Sequence, residues 1–409
     1  MNILVINAHW YNRGDEAAIR AMLREIKVSI KDCEIRIQAA LPQMQPEERH
    51  IEGAKVIECY PCGRKQIIES MLFAMSFGVI SASNQLKAFV ENVKWADLIL
   101  HAPGGPSISD TYGGDELKYL SRFAIAKAVK TPYVFYAPSM GPFGQGWKNH
   151  LRKYLLNSAE CIMVREAISK EYLKTLKLNK DVAVTLDSAF QTPIDEQYYL
   201  EELKQDKELF EFMSTDKKVV GITITPLSGN PAYASNKNLR NEILECFSKF
   251  VSTLNEDGFR VLFIPQLFGK TNDYNYMSEC AANHEAYVVK PTHDSFFQQF
   301  IIGQLHMVFG MRYHSNVFSA KMGTPFVSIS YEQKMKGLME ILEFNDLCLD
   351  IHELSYEKLV EKYHYLAQNY DMYYVKLNEK KLWLRDKSHQ TTDRVVEIAG
   401  EKIKGDNKN

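Results

Sequence analysis

The sequence predicts an α/β protein made of two doubly wound domains. Its 409 residues exceed the roughly 250–300 residues at which a single hydrophobic core stops growing. Short apolar runs alternate with helix-like stretches along most of the chain, which indicates parallel sheets covered on both faces. A second series of such units begins at Val219, after a charged, helix-like bridge. We therefore expect two domains facing a ligand cleft.

The first series of β-loop-α units fills the N-terminal half. It opens with an apolar strand at 3–6, a glycine-containing turn and an amphipathic helix over 16–30. Further apolar or alternating runs predict strands at 34–38, 97–100, 132–136, 161–164 and 184–186, and a helix at 166–177. Because ligands collect at the carboxyl ends of parallel strands, the residues that follow these strands are the first candidates for a site.

The second series repeats this pattern. Strands are predicted at 219–224, 260–265, 286–289, 307–309 and 326–329, and a helix at 238–256. The predicted boundaries are 1–195 for the N-terminal domain, 196–217 for a linker helix, 218–375 for the C-terminal domain, and 376–409 for a C-terminal helix and frayed tail.

Charge and cysteine content limit the function class and the compartment. The chain has 49 basic and 51 acidic residues, so it lacks the net positive charge that would hold the phosphate backbone of a nucleic acid. The seven cysteines are odd in number and widely spread, which does not suit a disulfide framework and fits a reducing compartment. The first residues lead directly into a strand without a secretion-signal pattern, so we expect a cytoplasmic location.

The apolar stretch MLFAMSFGVISA, at 71–82, has two interpretations. It is too short to cross a bilayer, which takes about 20 residues. It is either a buried or domain-packing helix, or an interfacial patch that rests on a membrane holding a lipid-linked substrate. In the second case the protein is peripheral to the membrane.

The most specific local pattern follows the apolar strand at 305–309. Arg312 and His314 stand between Gly310, which permits a tight exit from the strand, and a helix that Gly323 ends. A helix N-terminus carries free N–H groups and a partial positive charge, so a guanidinium and an imidazole added there favour phosphate and carboxylate. A structural arginine paired with a core carboxylate, and a histidine bonded to a carbonyl, explain the spacing equally well.

A second candidate loop follows the first strand. Asn12 can cap the next helix, Gly14 permits close backbone approach, and Asp15 suits the positive end of the helix dipole. The loop is neither a G-x-G-x-x-G nor a Walker A motif, so a dinucleotide role is not supported.

Other strand ends carry glycine turns or charged residues. Gly104 and Gly105 follow one strand, Arg165 ends the strand at 161–164, and Asp187 follows the strand at 184–186. Turn chemistry or an internal ion pair explains each of them alone.

Together these motifs resemble the polysaccharide pyruvyltransferase family over nearly the whole chain. Their order and spacing carry the resemblance: Asn12-x-Gly14-Asp15-x-Ala17-x-Ile19, Gly104-Gly105, Gly141-Pro142, Val164-Arg165-Glu166-x-x-Ser169, Asp187-x-Ala189-Phe190, Pro265-Gln266, Gly310-x-Arg312-x-His314, Gly323-x-Pro325 and Tyr331-x-x-Lys334. The resemblance implies a GT-B-like fold, that is, two Rossmann-like domains facing a cleft, with the acceptor on the N-terminal side and the donor on the C-terminal side.

The resemblance also implies an activity. The family moves the pyruvyl group of phosphoenolpyruvate onto paired sugar hydroxyls as a cyclic ketal. For this chain the expected acceptor is a polysaccharide or its lipid-linked precursor, made for an exopolysaccharide or the cell envelope. Arg312 and His314 are the implied catalytic donor contacts, and Arg165 is a second arginine for the donor. Asp15 is assigned to acceptor binding or base catalysis from the domain that faces the donor.

The remaining predicted substrate-binding residues are Asn12, Gly14, Gly104, Gly105, Ser315 and Lys334. We expect no metal and no cofactor, because cationic side chains can neutralise the donor. Two other functions fit the same sequence: a sugar-nucleotide glycosyltransferase of GT-B architecture, and a non-catalytic polysaccharide-assembly factor bound through the patch at 67–82. An oligomer is compatible with either.

Overall fold

The computed structural model describes residues 1–40, 51–80, 83–111, 115–144, 146–227, 230, 232–233, 235–236, 238–268 and 272–406. The last two residues of the apolar stretch at 71–82 and the last three of the C-terminal tail lie outside this description. The chain divides into two compact units. The first unit comprises Met1–Trp10, Ala18–Thr192 and Asp386–Asn409, and the second comprises Tyr11–Ala17 and Pro193–Arg385.

Residues 11–17 belong to the second unit because their backbone is bonded to it. The Phe268 N–H donates to the Tyr11 carbonyl at 3.1 Å, and the Arg13 N–H donates to the Gln266 carbonyl at 2.9 Å. Asn12 and Leu267 form an antiparallel bridge between these two bonds. The loop that follows the first strand is thus a structural part of the second unit.

The first unit is built on a seven-stranded parallel sheet. Its strands, in chain order, are β1 (Asn2–His9), β2 (Glu34–Ala40), β3 (Lys55–Val56), β4 (Leu98–His101), β6 (Tyr133–Phe135), β8 (Cys161–Val164) and β9 (Val182–Val184), and their order across the sheet is β3-β2-β1-β4-β6-β8-β9. A separate parallel pair joins β5 (Gly104–Ile108) to β7 (Pro138–Met140). The order reverses direction about β1, as in a doubly wound sheet.

Both faces of this sheet are buried, in two distinct hydrophobic clusters. Leu4 and Ile6 of β1 belong to one cluster, while Ile3 and Val5 belong to the other. Successive side chains of a strand point to opposite faces, so this alternation places one core on each side. The flanking helices are α1 (Arg13–Ser29), which begins in the second unit, α2 (Arg64–Met75), α3 (Asn84–Trp95), α4 (Glu116–Ala128), α5 (Lys148–Leu156) and α6 (Ala167–Lys174).

The second unit repeats the architecture with six parallel strands. They are β10 (Val219–Thr223), β11 (Arg260–Phe263), β12 (Ala286–Val288), β13 (Met307–Gly310), β14 (Phe326–Ser330) and β15 (Cys348–Asp350), in the sheet order β12-β11-β10-β13-β14-β15. Every residue of β10, β13 and β14 is buried, which is typical of a parallel sheet covered on both faces.

The helices of the second half are α7 (Glu196–Gln205), α8 (Lys207–Met213), α9 (Leu239–Glu256), α10 (Asp273–Ala281), α11 (Ser295–Gly303), α12 (Tyr313–Met322), α13 (Gln333–Leu342), α14 (Tyr356–Gln368) and α15 (Tyr370–Asp406). The predicted end of α12 is confirmed, because Gly323 caps it with a left-handed φ of +83°. None of the described helices is long and apolar enough to span a bilayer. The predicted fold class, α/β with two doubly wound parallel sheets, is confirmed.

Candidate active site

The Arg312–His314 segment joins the end of β13 to the start of α12. The side-chain oxygen of Thr223, at the end of the neighbouring β10, accepts hydrogen bonds from the backbone N–H groups of Met311 and Arg312 at 3.1 and 3.3 Å. A Cβ on Gly310 would lie 1.8 Å from Oδ1 of Asn316, so only glycine fits where the first turn of the helix packs on the strand end. The segment is therefore held firmly at the carboxyl edge of the sheet.

Arg312 is paired with a buried carboxylate that lies outside the sequence motifs. Its Nε and Nη2 donate to the two oxygens of Asp273 at 3.0 and 2.5 Å, and Asp273 is fully buried. Asp273 also accepts from the backbone N–H groups of Gln266 and Leu267. This bidentate pair fixes the plane of the guanidinium and occupies two of its five N–H donors.

Arg312 nevertheless keeps 13% of its side chain exposed. Burial works to lower the pKa of Arg312, but the charge of Asp273 and a contact with Tyr331 outweigh it and raise the pKa, so the guanidinium remains a cation. Burial raises the pKa of Tyr331, which keeps its hydroxyl protonated. A permanent positive charge with a partly exposed edge thus stands at the N-terminus of α12.

His314 packs against the backbone of Gly14. A Cβ on Gly14 would lie 1.8 Å from Nδ1 of His314, so a side chain at this position would displace the imidazole. The ring also meets Tyr313 edge-on, with centroids 5.0 Å apart. Gly14 and His314 are 300 positions apart in the sequence, and the second unit brings them together.

The loop that carries Gly14 is internally ordered. Oδ1 of Asn12 accepts a hydrogen bond from the Gly14 N–H at 2.8 Å, as in a turn capped by asparagine. Arg13 pairs with Glu16 at 2.6 Å and donates to the Pro291 carbonyl at 2.6 Å. Asn12 therefore has a structural role that fixes the approach of Gly14 to His314.

Asp15 lies in the first turn of α1, in the same unit as Arg312 and His314. It is 9% exposed, and among the described residues its carboxylate has no hydrogen bond or ion pair. The arrangement leaves a carboxylate available to a bound molecule.

Ser315 and Lys334 also lie in the second unit. Ser315 is fully buried, and its hydroxyl bonds to the Arg312 carbonyl at 2.6 Å and to the Thr223 hydroxyl at 2.8 Å. The Lys334 ammonium pairs with Glu332 at 2.5 Å and lies 5.6 Å from the centroid of the Tyr313 ring. Ser315 thus supports the segment from inside, while Lys334 adds a cation near its start.

Arg165 lies in the first unit, between the end of β8 and the start of α6. Its fully buried guanidinium pairs with Asp187 at 2.5 Å and with Glu166 at 3.3 Å, and it donates to the Ser139 hydroxyl at 2.8 Å. A ligand could reach this group only by displacing its partners. Its contact with the donor stays a prediction.

Gly104 and Gly105 also lie in the first unit, at the start of β5. Gly104 has a φ of +143°, a conformation that residues with a side chain rarely adopt. A Cβ on Gly105 would meet no atom within 4 Å, so the backbone there is open on that side. Substrate binding by these two glycines stays a prediction.

The candidate site thus includes two residues that the motifs did not contain, Asp273 and Thr223, and a third, Tyr331, to which no role was assigned. Asp273 follows Asn272, the N-cap of α10, and an acid in the first turn of a helix is ordinarily explained by the dipole. Only its distance to Arg312 distinguishes it from such an acid. Tyr331 belongs to the motif Tyr331-x-x-Lys334, but the motif alone indicated no role for this side chain.

Solved structures share the architecture. The chain aligns with a UDP-GlcNAc 2-epimerase from Neisseria meningitidis bound to UDP-GlcNAc, with a TM-score of 0.61 and 13% identity, covering 97% of this chain and 100% of that one. A glycosyltransferase from Rickettsia africae gives a TM-score of 0.60 and 12% identity, with 98% of each chain covered. At these identities the likeness extends to the fold alone, and it confirms the GT-B-like fold class.

Sequence comparison is more specific. The amylovoran biosynthesis protein AmsJ from Erwinia amylovora is 21% identical over 395 residues, which cover 91% of this chain and 93% of that protein. The family model for polysaccharide pyruvyl transferase matches residues 12–333, from the loop beside His314 to the start of α13. The chain belongs to the polysaccharide pyruvyl transferase family.

Proposed function

We propose that this protein transfers the pyruvyl group of phosphoenolpyruvate to two hydroxyls of a sugar and forms a pyruvate ketal. The observation that carries the proposal is the juxtaposition of Arg312, His314 and the Gly14 loop at the N-terminus of α12. These residues lie within the part of the chain that matches the family.

The donor carries a phosphate and a carboxylate on a small carbon skeleton. Asp273 holds the guanidinium of Arg312 by one edge, so the remaining N–H groups keep a fixed direction toward a ligand. The helix dipole of α12 adds positive potential at the same place. Lys334, which is paired with Glu332, lies near the same helix start. We therefore place the anionic donor at this part of the second unit, and the proposal includes no metal or cofactor.

The reaction needs a proton donor, a proton acceptor and stabilisation of the leaving phosphate. A proton added to the vinyl CH₂ gives a methyl group and makes the adjacent carbon electrophilic. One sugar hydroxyl adds there and loses its proton, phosphate leaves, and the second hydroxyl adds and loses its proton to close the ketal. We assign His314 to the phosphate, with transfer of a proton, and Asp15 to an acceptor hydroxyl, as its base or binding group.

The acceptor in this proposal is a polysaccharide or its lipid-linked precursor. The name of the amylovoran biosynthesis relative supports a role in making a polysaccharide. The proposed location is the cytoplasm, with peripheral contact to a membrane where the acceptor is lipid-linked. Asn12, Gly104, Gly105, Arg165 and Ser315 remain proposed as substrate-binding or supporting positions.

The test is phosphate release from phosphoenolpyruvate over a panel of glycosyl acceptors, with mass spectrometry to detect the added pyruvyl group. Arg312→Ala should lower kcat/KM by at least about 100-fold, as expected when a charge-stabilising donor is removed. Arg240→Ala is the matched control, because Arg240 lies in the same unit and pairs with Glu279 on the surface. The control should retain activity.

Calorimetry separates donor binding from acceptor identity. Phosphoenolpyruvate should bind the wild type and the Arg240→Ala variant and should not bind the Arg312→Ala variant. Absence of both binding and phosphate release with every acceptor would overturn the proposal. Binding of a UDP-sugar in its place, lost on the same substitution, would identify a sugar-nucleotide enzyme instead.

A further inference from the structure

A continuous apolar surface covers the outer side of α2 and the turn after it. Among the described residues of this segment, six large apolar side chains are exposed: Ile68, Leu72, Met75, Phe77, Val79 and Ile80. Phe77 and Val79 are each 83% exposed, and Met75 is 77% exposed. Single exposed apolar residues are common, but six within 13 positions mark an interaction surface. We call these six residues the α2 apolar surface.

The helical part of this surface forms one stripe. Ile68, Leu72 and Met75 are spaced by four and three positions, which places them on the same side of a helix. Ser70 and Phe73, on the other side, are buried in the first unit. The helix therefore buries one face in the core of the first unit and presents a second apolar face to the solvent.

The turn that carries the rest of the surface is held by hydrogen bonds. The Gly78 N–H donates to the Phe73 carbonyl at 2.9 Å, and the Ser76 hydroxyl accepts from the Ile80 N–H at 3.0 Å. Phe77 adopts a left-handed φ of +53°, which is unfavourable for an aromatic residue, and its side chain is 83% exposed. These apolar side chains are thus fixed outward by an ordered backbone.

The described exposed charges within 63–90 are all positive, while the exposed acids Glu58 and Glu91 lie just outside this range. Within 63–90 the described side chains that are charged and exposed are those of Arg64, Lys65 and Lys87. The acid of this segment, Glu69, turns inward, and its carboxylate accepts from the backbone N–H and the hydroxyl of Ser83. Lys65 is three positions before Ile68 and continues the same stripe, so cations border the apolar residues directly.

We propose that the α2 apolar surface rests in the interface of an anionic lipid bilayer, with Arg64, Lys65 and Lys87 at the headgroups. Exposed leucine, phenylalanine and isoleucine side chains with lysine and arginine beside them are what an interfacial segment requires. Lysine and arginine side chains at the border complement the negative potential of an anionic leaflet, which argues for lipid as the occupant. The reason for membrane binding rests on the proposed function, because a lipid-linked acceptor lies in a membrane.

Vesicle flotation with the full chain tests this without donor or acceptor. The wild type should float with vesicles of phosphatidylcholine and phosphatidylglycerol. The triple variant Phe77→Ser, Val79→Ser, Ile80→Ser should bind at least about tenfold more weakly, because three large apolar side chains no longer enter the interface. Val28→Ser and Leu382→Ser are matched controls, since these residues are 78% and 70% exposed elsewhere. Both controls should bind as the wild type.

A second variant tests the charges without touching the apolar residues. Lys65→Glu with Lys87→Glu should weaken binding to the anionic vesicles by about tenfold or more and should abolish its dependence on phosphatidylglycerol. The proposal is overturned if the wild type does not float, or if neither variant changes flotation. It is also overturned if the apolar side chains instead support self-association in lipid-free solution. Donor calorimetry on the same samples shows separately whether the proposed function holds.

Discussion

Arg165 and Arg312 occupy comparable places in the two sheets, each between the end of a parallel strand and the start of a helix. Arg165 is fully buried between two carboxylates, Asp187 and Glu166. Arg312 has one carboxylate partner, Asp273, and 13% of its side chain remains exposed. The same local pattern thus leads to two different electrostatic environments.

The difference shows that an arginine at a strand end is not by itself an anion site. Two buried carboxylates already bind the guanidinium of Arg165, and their proximity opposes a phosphate there. The pair of Arg312 and Asp273 is neutral as a unit, and the dipole of α12 adds positive potential beside it. The number of partner carboxylates therefore separates the two positions, and the following predictions test this separation.

The largest effect is expected from Arg165→Ala. Removal of this side chain leaves Asp187 and Glu166 buried without their cation, and breaking a buried pair in this way destabilises by about 3–5 kcal/mol. Urea denaturation should show this loss in the free energy of unfolding. If the variant is as stable as the wild type and has lost affinity for phosphoenolpyruvate, Arg165 contacts the donor and the comparison fails.

Asp273→Asn should have the next largest effect, because the amide keeps the size but removes the charge-assisted bonds to Arg312. We expect a loss of about 2–3 kcal/mol in the free energy of unfolding. Because Asp273 positions Arg312, the Asp273→Asn substitution should also raise the KM for phosphoenolpyruvate by about tenfold, with a smaller change in kcat. Urea denaturation and steady-state kinetics measure the two effects.

Glu279→Gln is the control for Asp273→Asn. Glu279 is the partner of the surface residue Arg240, and exposed ion pairs contribute less than about 1 kcal/mol. This variant should change neither stability nor KM appreciably. An unchanged KM in the Asp273→Asn variant would show that the carboxylate stabilises the fold without orienting Arg312 for the donor.

The fold class was predictable because apolar strands and amphipathic helices leave local patterns. The predicted strand at 307–309 and the helix ended by Gly323 correspond to β13 and α12. The grouping of residues 11–17 with the second unit was not predictable from such patterns. It depends on backbone bonds from Tyr11 and Arg13 to residues more than 250 positions away, which hydrophobic periodicity does not encode.

The site was predictable to the extent that it lies at strand ends. Parallel strands bring their carboxyl ends to one edge, so Arg312 and His314 could be selected from their position after an apolar run. The partner of Arg312 could not be selected, because Asp273 resembles any acid in the first turn of a helix. The approach of Gly14 to His314 also depends on tertiary packing, although the glycine itself indicated a close approach.

Gly14→Ala tests this approach with a smaller expected loss of stability. The added methyl would overlap the His314 ring, so the imidazole must move. We expect this movement to lower the free energy of unfolding by about 1–2 kcal/mol. Because Arg312 does not move, phosphoenolpyruvate should still bind, while phosphate release should fall at least about tenfold. Calorimetry and the phosphate assay together distinguish the two effects.

Gly337→Ala is the control for this substitution. Gly337 lies within α13 in the same unit, and a Cβ there meets no atom within 4 Å. Alanine should leave activity unchanged and add a few tenths of a kcal/mol of stability through its higher helix propensity. Equal activity of Gly14→Ala and Gly337→Ala would remove His314 from the proposed reaction.

Two buried histidines, one from each unit, differ in the direction of their pKa shift. In the first unit, burial lowers the pKa of His101 to about 4, and the ring bonds to the Ala102 carbonyl and the Ser107 hydroxyl. In the second unit, burial works to lower the pKa of His293, but hydrogen bonds to Glu202 and Asp206 outweigh it and raise the pKa. The surroundings thus disfavour the cationic form of His101 and favour the cationic form of His293.

These shifts have opposite consequences for stability. Because the pKa of His101 is depressed in the folded state, its contribution to the free energy of unfolding is lost as the pH falls from about 6.5 toward that folded-state pKa. The raised pKa of His293 gives a contribution that is fully present below about pH 6.5 and is lost as the pH rises through the folded value.

The smallest effect is therefore expected from His293→Gln, and it depends on pH. The variant should have a Tm about 2 °C below that of the wild type near pH 6, and the two should converge as the pH rises, because only the charged imidazole gains from both carboxylates. Calorimetric scans from mildly acidic to alkaline pH measure this difference. A constant difference at every pH would mean that His293 acts through packing on Phe297, whose ring lies 3.8 Å from its own, and that its charge contributes nothing.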